Sequence, residues 1–276
     1  CGKIVWAPAS LYGGRHHEET PEARTTRLEI RHMIIDVHTH APRFRTSADA
    51  ERSPPPPETG APMRPDRPDP SRVTWDDHIE AMRPVDRAIV FNIAAQPPGD
   101  PHKPGMAPDG IVRRTDLAQE VNDNVAALVR AHPSKLIGFM SVHPRDPHAL
   151  DEIDRATGDL KLRGIKLGPN YQNFDPLGDD AAKVFARAQE LGLPIVMHQG
   201  TSPVQFADLD WAHPRHLDRI ATRFPALRIV IAHFAHPWQV DALAVIRKHP
   251  NVWADISALH YRPWSYYTSL RLATEW

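Results

Sequence analysis

The sequence predicts one α/β domain, a parallel (β/α)8 barrel of the TIM type whose eighth strand falls beyond the last residue. Three observations predict it. Short β-branched runs alternate with longer helix-like runs along most of the 276 residues, and such alternation makes a parallel sheet covered by helices. The Gly-rich phosphate turn that a doubly wound sheet places after an early strand is missing. Histidines end several of the strands, which is where barrels of this type keep their reactive groups.

The elements follow in order. Ile34 to His40 is the first strand. The stretch from Ala41 to Arg72 is Pro-rich, with four prolines at 54–57 that no helix interior or central strand accepts. It is expected to be a loop insertion, either a lid or a disordered excursion. Thr74-Trp75-Asp76-Asp77 opens a helix and Pro84 closes it. Ala88 to Ile93 is the second strand, and a Pro/Gly-rich loop runs from Gln96 to Gly110. A helix from about Leu117 to Ala131 leads into the third strand, Leu136 to Val142. Another, around His148 to Ala156, leads into the fourth, Gly164 to Leu167. Asp179 and Asp180 cap Ala181 to Leu191, which Gly192 and Pro194 end. Ile195 to His198 is the fifth strand. A helix from about Pro214 to Phe224 precedes the sixth, Arg228 to His233. Pro237 suits the first position of the next helix, and Asn251 to Ser257 is the seventh strand. An open barrel of seven strands exposes two sheet edges, which favours aggregation or pairing with another copy.

Composition narrows the function. Lys plus Arg total 33 against 34 Asp plus Glu, so there is no basic footprint for nucleic acid and no attraction to an anionic membrane. No apolar run approaches the ~20 residues of a membrane span, and the N-terminal stretch lacks a secretory pattern. The single cysteine, Cys1, excludes an intrachain disulfide and a Cys-based zinc site. The expectation is a cytoplasmic protein with a small-molecule substrate, with a homo-oligomer left open. The first methionine is Met33. Residues 1–32 show little apolar periodicity and are expected to be a non-native or disordered leader to a domain at 33–276. A native extension packed on the barrel is the alternative.

His38 and His40 are two residues apart, so a strand aims both the same way with Asp36 behind them. Paired imidazoles at a strand's end are half of a metal site, although loop-edge histidines give the same pattern. Lys166 ends strand four, His198 strand five and His233 strand six. Convergence of these groups on one rim fits a divalent ion, zinc first and manganese or iron as alternatives.

Ile34 to His40, Gly164 to Tyr171, Ile195 to Thr201 and Ala232 to Trp238 together resemble the amidohydrolase superfamily. They are most like its amidohydrolase-related branch, which includes aminocarboxymuconate-semialdehyde and γ-resorcylate decarboxylases. The resemblance implies that His38, His40 and His198 ligate the metal and that His233 handles protons. It also implies a further aspartate ligand on strand eight, outside this sequence, without which the site has three neutral imidazoles. The activity implied is hydrolysis of a small amide- or lactone-like carbonyl by metal-activated water. Non-oxidative decarboxylation of an aromatic or unsaturated acid is the alternative, and a catalytically silent barrel fragment a further one.

Other candidates have two readings or more. Lys166 could be carbamylated between two metals, orient an anionic substrate, or sit in a barrel salt bridge. His236 reads as a helix cap or a group behind the ligands rather than a ligand, and His143 as a plain strand exit. Asp255 could hydrogen-bond a ligand histidine or be structural. Arg43 and Arg45 could clamp a carboxylate or be solvated. Tyr261, Trp264, Tyr266 and Tyr267 could wall an aromatic pocket or simply pack.

Overall fold

The structure, a computed structural model, describes residues 33–52, 72–97, 117–202, 207–260 and 262–275. The expected leader at 1–32, the prolines at 54–57, most of the second Pro/Gly loop and Tyr261 lie outside the described residues.

The described strands are β1 (Ile35–His40), β2 (Arg87–Phe91), β3 (Leu136–Gly138), β4 (Ile165–Leu167), β5 (Ile195–Met197), β6 (Ile229–Ile231) and β7 (Val252–Ala254). All pair in parallel and in chain order, β1 to β3 in one ladder and β4 to β7 in another. The ladders join where Met140 bridges Ile165. There the Met140 N–H donates to the Gly164 carbonyl at 2.8 Å and the Lys166 N–H to the Met140 carbonyl at 2.7 Å. Glycine is needed at 164, because a Cβ would stand 2.4 Å from the Phe139 ring. His38 on β1 reaches Asp255 just beyond β7, so the sheet curls back on itself as a barrel wall does.

The helices are α1 (Ser47–Arg52), α2 (Trp75–Ala81), α3 (Ala118–Ala131), α4 (Ala149–Gly158), α5 (Pro169–Gln172), α6 (Asp179–Glu190), α7 (Arg215–Arg223), α8 (Gln239–Lys248) and α9 (Pro263–Glu275). Their buried faces have helical spacing, as with Val121, Val125 and Leu128 on α3 or Ala181, Val184, Phe185 and Ala188 on α6. The α2 start carries a capping box between Thr74 and Asp77.

Four expectations change. The Pro-rich stretch begins with a helix, α1, held by Thr46, whose hydroxyl donates to Asp49 at 2.8 Å. The N-cap of α6 is Gly178, and Asp179 and Asp180 occupy its first turn, where the helix dipole favours them. Pro237 lies before α8, whose N-cap is Trp238. The segment after β7 forms α9, with Trp264 80% and Tyr267 56% exposed, so these two face solvent.

Alternation within the strands splits the core into two layers. Val90, Ile165, Leu167, Ile195, Met197, Ile229 and Ile231 belong to the large cluster shared with the helices. Phe91, Phe139, Val196 and Ala232 form a separate cluster with Ile89, Ile137 and Val230, the barrel interior. Lys166 is in register with Val196 and so points inward. It is buried, with its ammonium 5.0 Å from the centre of the Phe91 ring.

Candidate metal centre

The site begins with an irregularity in β1. Asp36 is in register with Ala88, but Thr39 with Val90 and His40 with Phe91, which leaves one extra residue on β1. Such a bulge re-aims side chains. Asp36 thereby lies beside Ala88 of the strand–helix layer, and His40 beside Phe91 of the interior. The pair His38 and His40 is thus turned inward, with ring centroids 5.6 Å apart and 4.9 and 5.2 Å from Phe91. The expectation that Asp36 stands behind them on the same face is corrected. Asp36 instead braces the bulge, its Oδ1 accepting the His38 N–H at 3.0 Å.

Asp255, fully buried just past β7, is the electrostatic centre. Its Oδ2 accepts from His38 Nδ1 at 2.7 Å. Its Oδ1 accepts the backbone N–H of His233 at 2.9 Å, that of Ser257 at 3.0 Å, and the Ser257 hydroxyl. Burial alone would raise this carboxyl. The His38 charge and hydrogen bond, then His233 and Ser257, outweigh it and hold the group well below the ordinary carboxylate range. Of the two readings the sequence allows, hydrogen bonding to a site histidine is the one the structure takes.

His233 opens a turn after β6 in which His233, Phe234 and Ala235 all have left-handed φ values of 59°, 50° and 50°. Non-glycine residues pay on the order of 1–2 kcal/mol each in this region, and such a turn persists only when its surroundings over-determine it. Asp255 holds its first amide, and the Thr201 N–H donates to its last carbonyl, His236 O, at 2.7 Å. Gly200 makes that approach possible: its φ is +99°, and a Cβ would meet His236 O at 2.4 Å. The turn presses the His233 ring between those of His38 and His198, at 4.7 and 4.9 Å. Burial, then the neighbouring His38, push the His233 imidazole down to about 3. The same causes, burial first and then His233, push His198 well below its ordinary value.

Ligand atoms of His38, His233 and Asp255 lie within 4.8 Å of one another, a group that could hold a metal ion. His198 Nε2 is buried without a hydrogen-bond partner, an unmet polar atom of the kind a metal satisfies. The donor set is imidazole and carboxylate, which suits a divalent ion. The residues fit. His40 joins through the His38 ring, at the exposed rim of the barrel.

A cavity of about 400 Å³ opens on the cluster, lined by His198 and His233 with Tyr171, Thr201, Ser202 and Arg262 among others. Lys166 is not on this wall, and its charge bears on His198 and His233 from within the barrel. His236, which also lines the cavity, accepts from the Gln239 amide at 2.8 Å, and His143 Nε2 bonds the Gln172 carbonyl at 2.6 Å. Arg43 rests over the Phe44 ring and Arg45 over that of Trp75. The part Ser257 plays has one signal in the sequence, the spacing Asp255-x-Ser257 after an apolar strand.

Among the described residues no helix is long and apolar enough to cross a membrane. Over 84 residues the chain is 29% identical to the 2-amino-3-carboxymuconate-6-semialdehyde decarboxylase of Dictyostelium discoideum, a match spanning 30% of this chain and only 23% of that protein. The fold is similar to that of an uncharacterised TIM-barrel protein from Bordetella bronchiseptica, with TM-score 0.54 and 18% identity over 80% of this chain and 74% of that one. It is also similar to that of 4-oxalomesaconate hydratase from Rhodopseudomonas palustris, with TM-score 0.53 and 19% identity over 83% and 75%. At these identities the structural likeness speaks for the fold, a TIM-type α/β barrel. The profile of the family described as amidohydrolase matches residues 35–276, every described element from β1 onward, and the chain belongs to that family.

Proposed function

We propose that this chain carries the active site of a metal-dependent hydrolase acting on a small amide- or lactone-like carbonyl compound, with zinc as its ion. The observation that carries this is the buried histidine cluster, with the His198 Nε2 unmet and the rings of His40, His38, His233 and His198 in sequence of contact, braced by Asp255 beside a cavity of about 400 Å³.

Asp255 already accepts one imidazole, two amide and one hydroxyl hydrogen bond. Direct ligation would strip some of these away, so its role is behind His38, where it supplies negative charge and orients the ring. The imidazoles of His38, His40 and His198 would then hold the ion. When bound, such an ion supplies the Lewis acidity that acidifies water and polarises a carbonyl oxygen. His233, neutral at physiological pH because burial and His38 hold it near 3, starts with a lone pair able to take a proton. Tyr171 lies against the His198 ring at 4.5 Å and closes one side of the cavity.

Decarboxylation is a second reading, favoured by the likeness to a decarboxylase over 84 residues and by Arg262 on the cavity wall, since a guanidinium matches a carboxylate. The test is turnover by the zinc-loaded full chain of a lactone and amide panel, against carbon dioxide release from hydroxybenzoates. Hydrolysis supports the first reading, and carbon dioxide release the second. Turnover of neither by protein that binds zinc overturns both.

A further inference from the structure

We propose that Ser257 is a positioning residue whose hydroxyl ties His233 to the Asp255 carboxylate and fixes the ring proton on Nδ1. The argument is one of donors and acceptors. A serine hydroxyl has one hydrogen to give. Ser257 Oγ hydrogen-bonds Asp255 Oδ1, and a carboxylate only accepts. The hydrogen is therefore spent there. Toward His233 Nδ1, 2.7 Å away, Ser257 Oγ is left as an acceptor, so that nitrogen must carry a hydrogen. The Ser257 carbonyl, 3.3 Å from the same nitrogen and able only to accept, requires the same tautomer.

His38 obeys a parallel logic, its Nδ1 facing Asp255 Oδ2 at 2.7 Å and Ser257 Oγ at 3.2 Å. One carboxylate thus orders two imidazoles, His38 directly and His233 through a hydroxyl. Both rings place the Nδ1 hydrogen on the Asp255–Ser257 side and carry the lone pair on Nε2. Ser257 is itself buried and does not line the cavity, so its effect passes through His233. Resting on the proton-handling role proposed for His233, this explains why that ring meets a substrate as an acceptor.

The experiment reads nitrogen-15 signals of the histidine rings in the metal-free full chain, above the ordinary histidine range, with His233 assigned by its loss in His233→Gln. The wild-type ring is expected to show a pyrrole-like Nδ1 and a pyridine-like Nε2. Ser257→Ala removes one hydrogen bond, and the Nδ1–H to Nε2–H ratio should fall about twofold to tenfold. Ser257→Thr, which keeps the hydroxyl, should restore the wild-type pattern. Should the alanine variant not fold, Ser257→Cys, a weak donor and acceptor, is expected to give an intermediate ratio. Wild-type signals in the alanine or cysteine variant, or an Nε2–H ring in the wild type, would overturn the assignment. The readout needs neither metal nor substrate, so it can fail while the hydrolase reading stands, and turnover can fail while the tautomer holds.

Discussion

Replacing Asp255 with asparagine keeps the shape of the side chain and removes its charge. The amide oxygen can stay where Oδ1 is, with the His233 and Ser257 amides and the Ser257 hydroxyl as donors. The amide nitrogen then faces His38 Nδ1, where the carboxylate now accepts at 2.7 Å. Two donors cannot share that contact, so His38 must move its hydrogen to Nε2, the nitrogen proposed to hold the ion. One charge-assisted hydrogen bond to a buried ring disappears, a loss of about 1.5–3 kcal/mol. Zinc affinity should fall about 10–100-fold, the usual cost of losing the group behind a ligand histidine. Asp255→Ala should cost about 3–5 kcal/mol, because buried donors are then left uncompensated. Urea unfolding and calorimetric zinc titration of the full chain read the two effects separately. Asp255→Asn with a lower midpoint but wild-type zinc affinity would refute the reasoning and leave Asp255 as a fastener of the turn.

Three further outcomes are expected. Gly200→Ala should lower stability by about 1–3 kcal/mol, since the φ of +99° disfavours a side chain and the new Cβ collides with backbone at His236; an unchanged urea midpoint would contradict this. The pH dependence of the metal-free chain follows from His233, moved from 6.5 down to about 3 on folding. Between those values the unfolded chain binds the proton first, so stability should fall as pH drops, at up to about 1.4 kcal/mol per unit, with His198 adding in the same direction. Urea midpoints taken at about pH 7 and about pH 5 check it, and His233→Gln should flatten the slope. Arg262→Met should raise KM for an anionic substrate about 10–100-fold with kcat little changed, the worth of one charge-assisted contact; an equal loss in both constants would place Arg262 in the chemistry instead.

The strands and their helices were legible because apolar period and β-branched runs are local properties. So were the histidines at strand ends, since β4 to β6 are short and each hands its next residues to the rim. The bulge in β1 was not. It exists because β1 pairs with a second strand, where the Thr39 hydroxyl donates to the Ile89 carbonyl at 2.7 Å, and no spacing within Ile35–His40 records that. Plain alternation still put His38 and His40 on one face, where both rings meet Phe91, but it put Asp36 on the wrong one.

The same division explains the centre of the site. His38 and Asp255 are 217 residues apart, so their union depends on the sheet curling until the end of β7 faces β1. The left-handed turn at His233–Ala235 contains no glycine to announce it. The glycine lies elsewhere, at 200, where its missing Cβ leaves room for the turn's last carbonyl, while the carboxylate anchoring the first amide comes from beyond β7. A strained turn whose outside supports come from the segments after β5 and β7 can exist only once the barrel wall has formed. The histidine cluster is therefore a product of the assembled fold, and perturbing Gly200 or Asp255 should disturb His233 more than substitutions within the turn's own neighbours in sequence.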